Sequence, residues 1–153
     1  MREKISTALK AAQKEQNKRR VATLRLVSAA ITDRDIALRG KGKDSASDED
    51  IAEILVKMVK QRDESSELYR QGGRPELEQQ ELEEIEIIRE FLPKPLNEDE
   101  TETAIASAID ETGAVSLRDM GKVMAWLKEH YRGQIDMAKA GAKIKASLAG
   151  GQA

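Results

Sequence analysis

Ile51, Ile54, Leu55, Met58 and Val59 fall at steps of three and four, the spacing that lines side chains along one face of an α-helix. Stripes of the same period recur along the chain: Ile5, Leu9 and Ala12; Leu24, Val27 and Ile31; Leu82, Ile85, Ile88 and Leu92; Met120, Val123, Met124, Leu127 and Tyr131; Ile144 and Leu148. A chain patterned this way buries its apolar side chains by packing helix on helix. Only 3% of residues are aromatic, and the 39% apolar share comes mainly from Ala, Leu, Ile, Val and Met, so the core is expected to be thin and aliphatic. Few aromatics and three prolines argue against a sheet.

Punctuation between the stripes predicts seven helices. The first spans about Arg2 to Gln16, with a weak break at Asn17, and the second Lys18 to Leu38, stopped by Gly40-Lys41-Gly42. Ser47 caps a long third helix with Asp48, Glu49 and Asp50 in its first turn, where the helix dipole favours anions. Gly72-Gly73 ends it, and Pro75 opens a fourth helix that reaches Leu92. Pro93-Lys94-Pro95 cannot continue a helix and reads as a short, stiff connector. Asn97 with Glu100 caps a fifth helix ending at Gly113, Ser116 with Asp119 a sixth ending at Gly133, and Asp136 a seventh. The expected architecture is all-α: a four-helix unit at 1–92, a proline-containing linker at 93–96, a three-helix unit at 97–149 and a frayed tail at 150–153.

Cysteine is absent, which excludes disulfides and thiolate metal sites. No apolar run approaches the roughly 18 residues of a membrane span. The start, MREKISTALKAAQ, lacks a secretory signal, and Glu3 and Glu15 count against a transit peptide. A cytoplasmic protein with no membrane association is expected. The net charge of −2 conceals three zones: +6 over residues 1–39, −12 over 40–112 and +4 over 113–153. Local charge therefore leaves nucleic acid open at both ends.

Catalytic chemistry finds few candidates. The one histidine, His130, sits near a helix C-terminus, where a capping or surface role suits it. The acidic run Glu76, Glu78, Glu81, Glu83, Glu84 and Glu86 matches no cation loop and reads as a solvated face. Gly40-Lys41-Gly42-Lys43 follows a helix, unlike a phosphate-binding loop. No catalytic residue, metal ligand or cofactor site is assigned.

Two constellations carry binding potential. The third-helix stripe continues through Arg62 and Ser65 to Tyr69, and with Arg25 these form a possible groove; the alternative is an arginine whose stem packs while its head reaches water. Lys122, Lys128, Arg132, Gly133, Lys139, Lys143 and Lys145 form a basic stretch around a glycine turn, either a phosphate-contacting surface or a solvated face. Amides opening the seventh helix could add an anion site there. Lys18-Arg19-Arg20 is ambiguous in the same way.

Thr23-Leu24-Arg25, Lys60-Gln61-Arg62 with Glu64-Ser65, Phe91-Leu92-Pro93, Thr112-Gly113-Ala114, and Met120-Gly121-Lys122-Val123-Met124 followed by Gly133 occur in that order. In this combination the chain resembles the YqeY-like family of bacterial proteins, which shares a domain with one component of the glutamine-dependent aspartyl/glutamyl-tRNA amidotransferase. The resemblance spans nearly the whole chain, and Met120 to Leu148 resembles the end of that enzyme's tail domain. It implies a helical fold of two subdomains and a link to tRNA, which the tail domain contacts. After Gly133 the family often has alanine-aspartate or alanine-asparagine, whereas this chain has Gln134-Ile135-Asp136. The catalytic domain of the larger enzyme has no counterpart in 153 residues.

The residues and the resemblance together leave three readings. The first is a non-catalytic tRNA- or RNA-binding accessory module. The second is a protein-interaction module that docks on an amidotransferase or aminoacyl-tRNA synthetase through the acidic fourth helix. The third is participation in carbon–nitrogen ligation with glutamine as amido donor, a family-level inheritance.

Overall fold

A computed structural model describes residues 1–150, and among them the protein is all-helical. Seven α-helices follow in order: α1 (Arg2–Lys14), α2 (Lys18–Gly40), α3 (Asp48–Gln71), α4 (Pro75–Arg89), α5 (Glu98–Thr112), α6 (Met120–His130) and α7 (Met137–Gly150). A 3-10 turn, Leu117–Asp119, precedes α6. The chain forms two compact units, Met1–Pro93 and Lys94–Ala153. The tail expected to fray lies outside the described residues, apart from Gly150, which closes α7.

The first unit packs α1 to α4 around Ile5, Ala12, Leu24, Val27, Ile31, Ile51, Ile54, Leu55, Met58 and Ile88. These are the predicted stripes, and each fully buried Leu or Ile contributes about 1.5–3 kcal/mol. Leu82 departs from the expected inward face of α4: it is exposed, as are Leu68 and Leu77. All three lie in the half of the α3–α4 hairpin nearest its turn, beyond the core cluster. Ser66, not Ser65, is the buried serine of α3, and its hydroxyl donates to the Asp63 carbonyl at 2.8 Å.

Capping set the helix boundaries. Ser47 and Asp50 bond reciprocally at the start of α3, as do Asn97 and Glu100 at the start of α5. Asn17 is a stronger signal than a weak break. Its side chain accepts from the Arg20 amide at 3.2 Å and caps α2, so α1 ends at Lys14 and not at Gln16. The turn between them places Gln16 at φ +56°, a left-handed conformation that costs a residue with a Cβ.

The glycine-bearing loop before α3 is pinned by a contact 33 residues apart in sequence. Arg2 donates from Nη1 and Nη2 to the two Asp35 oxygens at 2.9 and 3.0 Å, and Nη2 also reaches the Ala46 carbonyl at 3.0 Å. Asp35 in turn accepts the Ala46 amide at 2.7 Å. One carboxylate thus joins α1, α2 and the loop, and buries Ala46 in the core. The Arg2 guanidinium, then the Ala46 amide, hold the Asp35 carboxyl below the usual carboxylate range against the opposing effect of burial.

The second unit packs α5, α6 and α7 around Ala104, Ile105, Ala108, Val123, Leu127, Ala140, Ile144 and Leu148, with Ala114 and Ile135 from the connecting turns. A Cβ added at Gly141 would stand 3.6 and 3.8 Å from the Met120 and Met124 methyls, ordinary van der Waals contact, so the packing there does not require glycine. Lys94 and Leu96, expected in the connector, are tied into this unit. The Leu96 amide donates to the Gln134 carbonyl at 2.9 Å, and the Gln134 side chain donates to the Lys94 carbonyl at 3.1 Å.

Gln16→Gly should raise stability by about 0.5–1 kcal/mol, measured by urea unfolding, because relief of the left-handed strain exceeds the added unfolded-chain entropy. A carboxyl whose pKa falls on folding adds stability that is complete above its unfolded value of about 3.9 and is lost as pH drops through its folded value. The wild type should therefore lose part of its stability on acidification below about pH 4, and unfolding curves of Asp35→Asn should vary less with pH in that window.

Candidate nucleic-acid interface

The possible groove at Arg62 is occupied by the protein itself. Arg62 Nε donates to Glu84 Oε2 on α4 at 2.9 Å, and its Nη1 reaches the Met58 carbonyl at 3.3 Å. Both side chains are nearly covered, at 13% and 12% exposure, so the guanidinium has found a partner in the fold. Arg25 is exposed, and no hydrogen bond or ion pair joins it to Arg62 or to the half-buried Ser65.

Two of the three cations opening α2 are paired in the same way. Arg19 lies 3.5 Å from Glu83 and 3.9 Å from Glu84, and Arg20 pairs with Glu90. Burial, and then the neighbouring Glu84 charge, push the Glu81 carboxyl above its usual range. Arg34 lies 3.7 and 4.0 Å from Asp50 and Glu53, linking α2 to α3. These arginines are therefore engaged in cross-helix pairing.

In the second unit, α6 is launched by Asp119, whose Oδ2 accepts the Val115 amide at 2.9 Å and the Ser116 amide at 3.3 Å. The Val115 amide is the main reason its carboxyl lies below the usual range. Its cap opens the 3-10 turn, one turn before α6 itself. At the other end Gly133 adopts φ +78°, and Asp136 Oδ1 accepts the Ala138 and Lys139 amides at 2.9 and 3.3 Å. The amides expected to form an anion site are thus bonded to a carboxylate of the chain.

The predicted basic residues surround α6 and α7 without converging on one spot. Lys122 is exposed and 3.9 Å from Asp119. Lys128 and Lys139 are exposed, and Arg132 is half-buried beside Gly133. Lys143 turns toward α5, 3.9 Å from both Glu98 and Glu102. There it edges a groove of about 650 Å³ floored by Ile105, Ile109 and Ala146. Lys145 is exposed on the other flank of α7, about 160° round the helix from Lys143 at 100° per residue.

An aromatic stack completes this surface. Trp126 packs against the unit's core and stacks with His130, with centroids 3.8 Å apart and planes 14° from parallel. His130 Nδ1 lies 2.8 Å from the Trp126 carbonyl. A carbonyl only accepts, so Nδ1 carries the proton. Tyr131 stands tilted 6.1 Å from the indole. The chain's one tryptophan and one histidine, four residues apart on a helix, were a sequence signal for this contact.

Among the described residues, no group of three or more His, Cys, Asp or Glu is placed to hold a metal ion. No helix among them is long and apolar enough to cross a membrane. A double-mutant cycle on Arg62→Ala and Glu84→Ala should give a coupling of about 1–2 kcal/mol by urea unfolding, since the hydrogen bond is charge-assisted and mostly covered.

A comparison with known families matches residues 2–148 to the one described as Yqey-like protein. Comparison with curated proteins gives no match. The matched span takes in both units, including the ion-paired Arg62, the left-handed Gly113 and the α6–Gly133–α7 turn. The chain belongs to the YqeY-like family.

Proposed function

We propose that this protein is a non-catalytic RNA-binding accessory module, with tRNA the first candidate, and that α6 and α7 carry its binding face. The observation that supports this is a pair of exposed cations. On α7 Lys139 and Lys145 are exposed and carry no ion pair among the described residues. Flexible ammonium groups around a helix pair suit phosphate contacts that hold an RNA without reading its sequence. The resemblance of Met120 to Leu148 to the amidotransferase tail domain adds tRNA as the substrate to try first.

A second reading, docking on an amidotransferase or aminoacyl-tRNA synthetase, draws on α4. Glu83, Glu84 and Glu90 are engaged within the unit, which leaves the exposed Leu77 and Leu82 beside the remaining glutamates as its contact face. Pull-down from lysate with and without nuclease separates the two readings, since recovery that survives nuclease favours docking.

Gel-shift titration with tRNA at about 50 and about 200 mM salt should show affinity falling steeply with salt. Lys139→Glu combined with Lys145→Glu should weaken binding and flatten the log–log salt dependence by about two. Binding indifferent to salt, or unchanged by the double reversal, would sink this reading.

A further inference from the structure

The second unit contains two aromatic residues, Trp126 and Tyr131, and both lie with His130 at the end of α6. The Trp126 indole is half-buried, packed against the unit's core while part of it stays within reach of solvent. Its stacking partner is not a core residue. His130 is exposed, so the stack covers one imidazole face and leaves the other to solvent. The bond from Nδ1 to the Trp126 carbonyl fixes the ring against the helix, so little further side-chain freedom remains to be lost when something stacks upon it.

Charge is aligned with these rings. Lys122, Trp126 and His130 recur every four residues, which places them along one flank of α6 about 6 Å apart per step. The Lys122 side chain is 69% exposed, and its ammonium lies 3.9 Å from Asp119. A cation followed by two stacked rings at regular intervals presents a π-surface and a phosphate contact on the same line. Duplex RNA offers no unpaired base face to such a surface, whereas a single strand or loop offers one at every nucleotide.

We infer that the Trp126–His130 stack is a platform for an unpaired RNA base, with Lys122 holding a neighbouring phosphate, so that the RNA taken by this unit is a single-stranded loop or end. This rests on the RNA-binding reading and narrows its substrate class. The lone tryptophan supplies the readout. Titration with a short unstructured oligouridylate should quench Trp126 emission in step with binding measured by fluorescence anisotropy of the labelled oligonucleotide. A duplex RNA of equal phosphate number should bind more weakly and quench less.

His130→Ala should lower single-strand affinity at least about 5-fold and leave the affinity for duplex unchanged. Lys145→Glu should weaken both, as a pure charge effect. Trp126→Phe keeps a ring on the core and should retain single-strand affinity within about 5-fold, which separates loss of stacking from loss of fold. If the single strand binds without quenching, or His130→Ala binds it as well as wild type does, or duplex is preferred, the platform is overturned while RNA binding stands. If neither RNA form binds, the RNA reading falls and the platform with it.

Discussion

Glu84 ties three helices of the first unit together. It accepts from Arg62 on α3 and faces Arg19 on α2, so one carboxylate sits among three helices with little exposure. A core built from alanine and aliphatic side chains, with almost no rings, has little reach beyond its central residues. Between Arg62 and the α3–α4 turn, a charged contact takes over where apolar burial runs out. The pairing also absorbs charges that would otherwise look like binding surfaces: Arg19 and Arg20 meet Glu83, Glu84 and Glu90.

The Arg2–Asp35–Ala46 contact works in the same manner at the opposite end of the unit. A loop containing Gly42 would be free to wander, yet the Asp35 carboxylate binds its Ala46 amide while Arg2 binds its carbonyl. The start of α3 is thereby fixed against α1 and α2 before any core packing of α3 is counted. In both places a charged side chain supplies what the thin core does not.

In the second unit Asp119 and Asp136 are spent on caps, with Lys122 beside Asp119, and Glu98 and Glu102 face Lys143. Lysines at 139 and 145 remain outside, and the rings of Trp126 and His130 lie one above the other on the flank that begins with Lys122. A carboxylate of the chain itself occupies the amides at the start of α7, so any phosphate bound here meets side chains and not the helix terminus.

What the sequence determined by itself is local. The three-and-four spacing named the stripes, and Ser47–Asp50, Asn97–Glu100, Asp136 and Gly113 named the helix ends, because each of these acts through neighbours within a few residues. The family motifs were legible too, and several prove to be packing residues, such as the buried Thr23 and Leu24. Tertiary structure alone decided which charges meet. It paired Arg2 with Asp35 and Arg62 with Glu84, left Arg25 and Leu82 exposed, and set Lys143 against Glu98 and Glu102. A helical sequence states which residues share a face, but a charge is cancelled or kept by whatever packs against that face, and that neighbour lies tens of residues away.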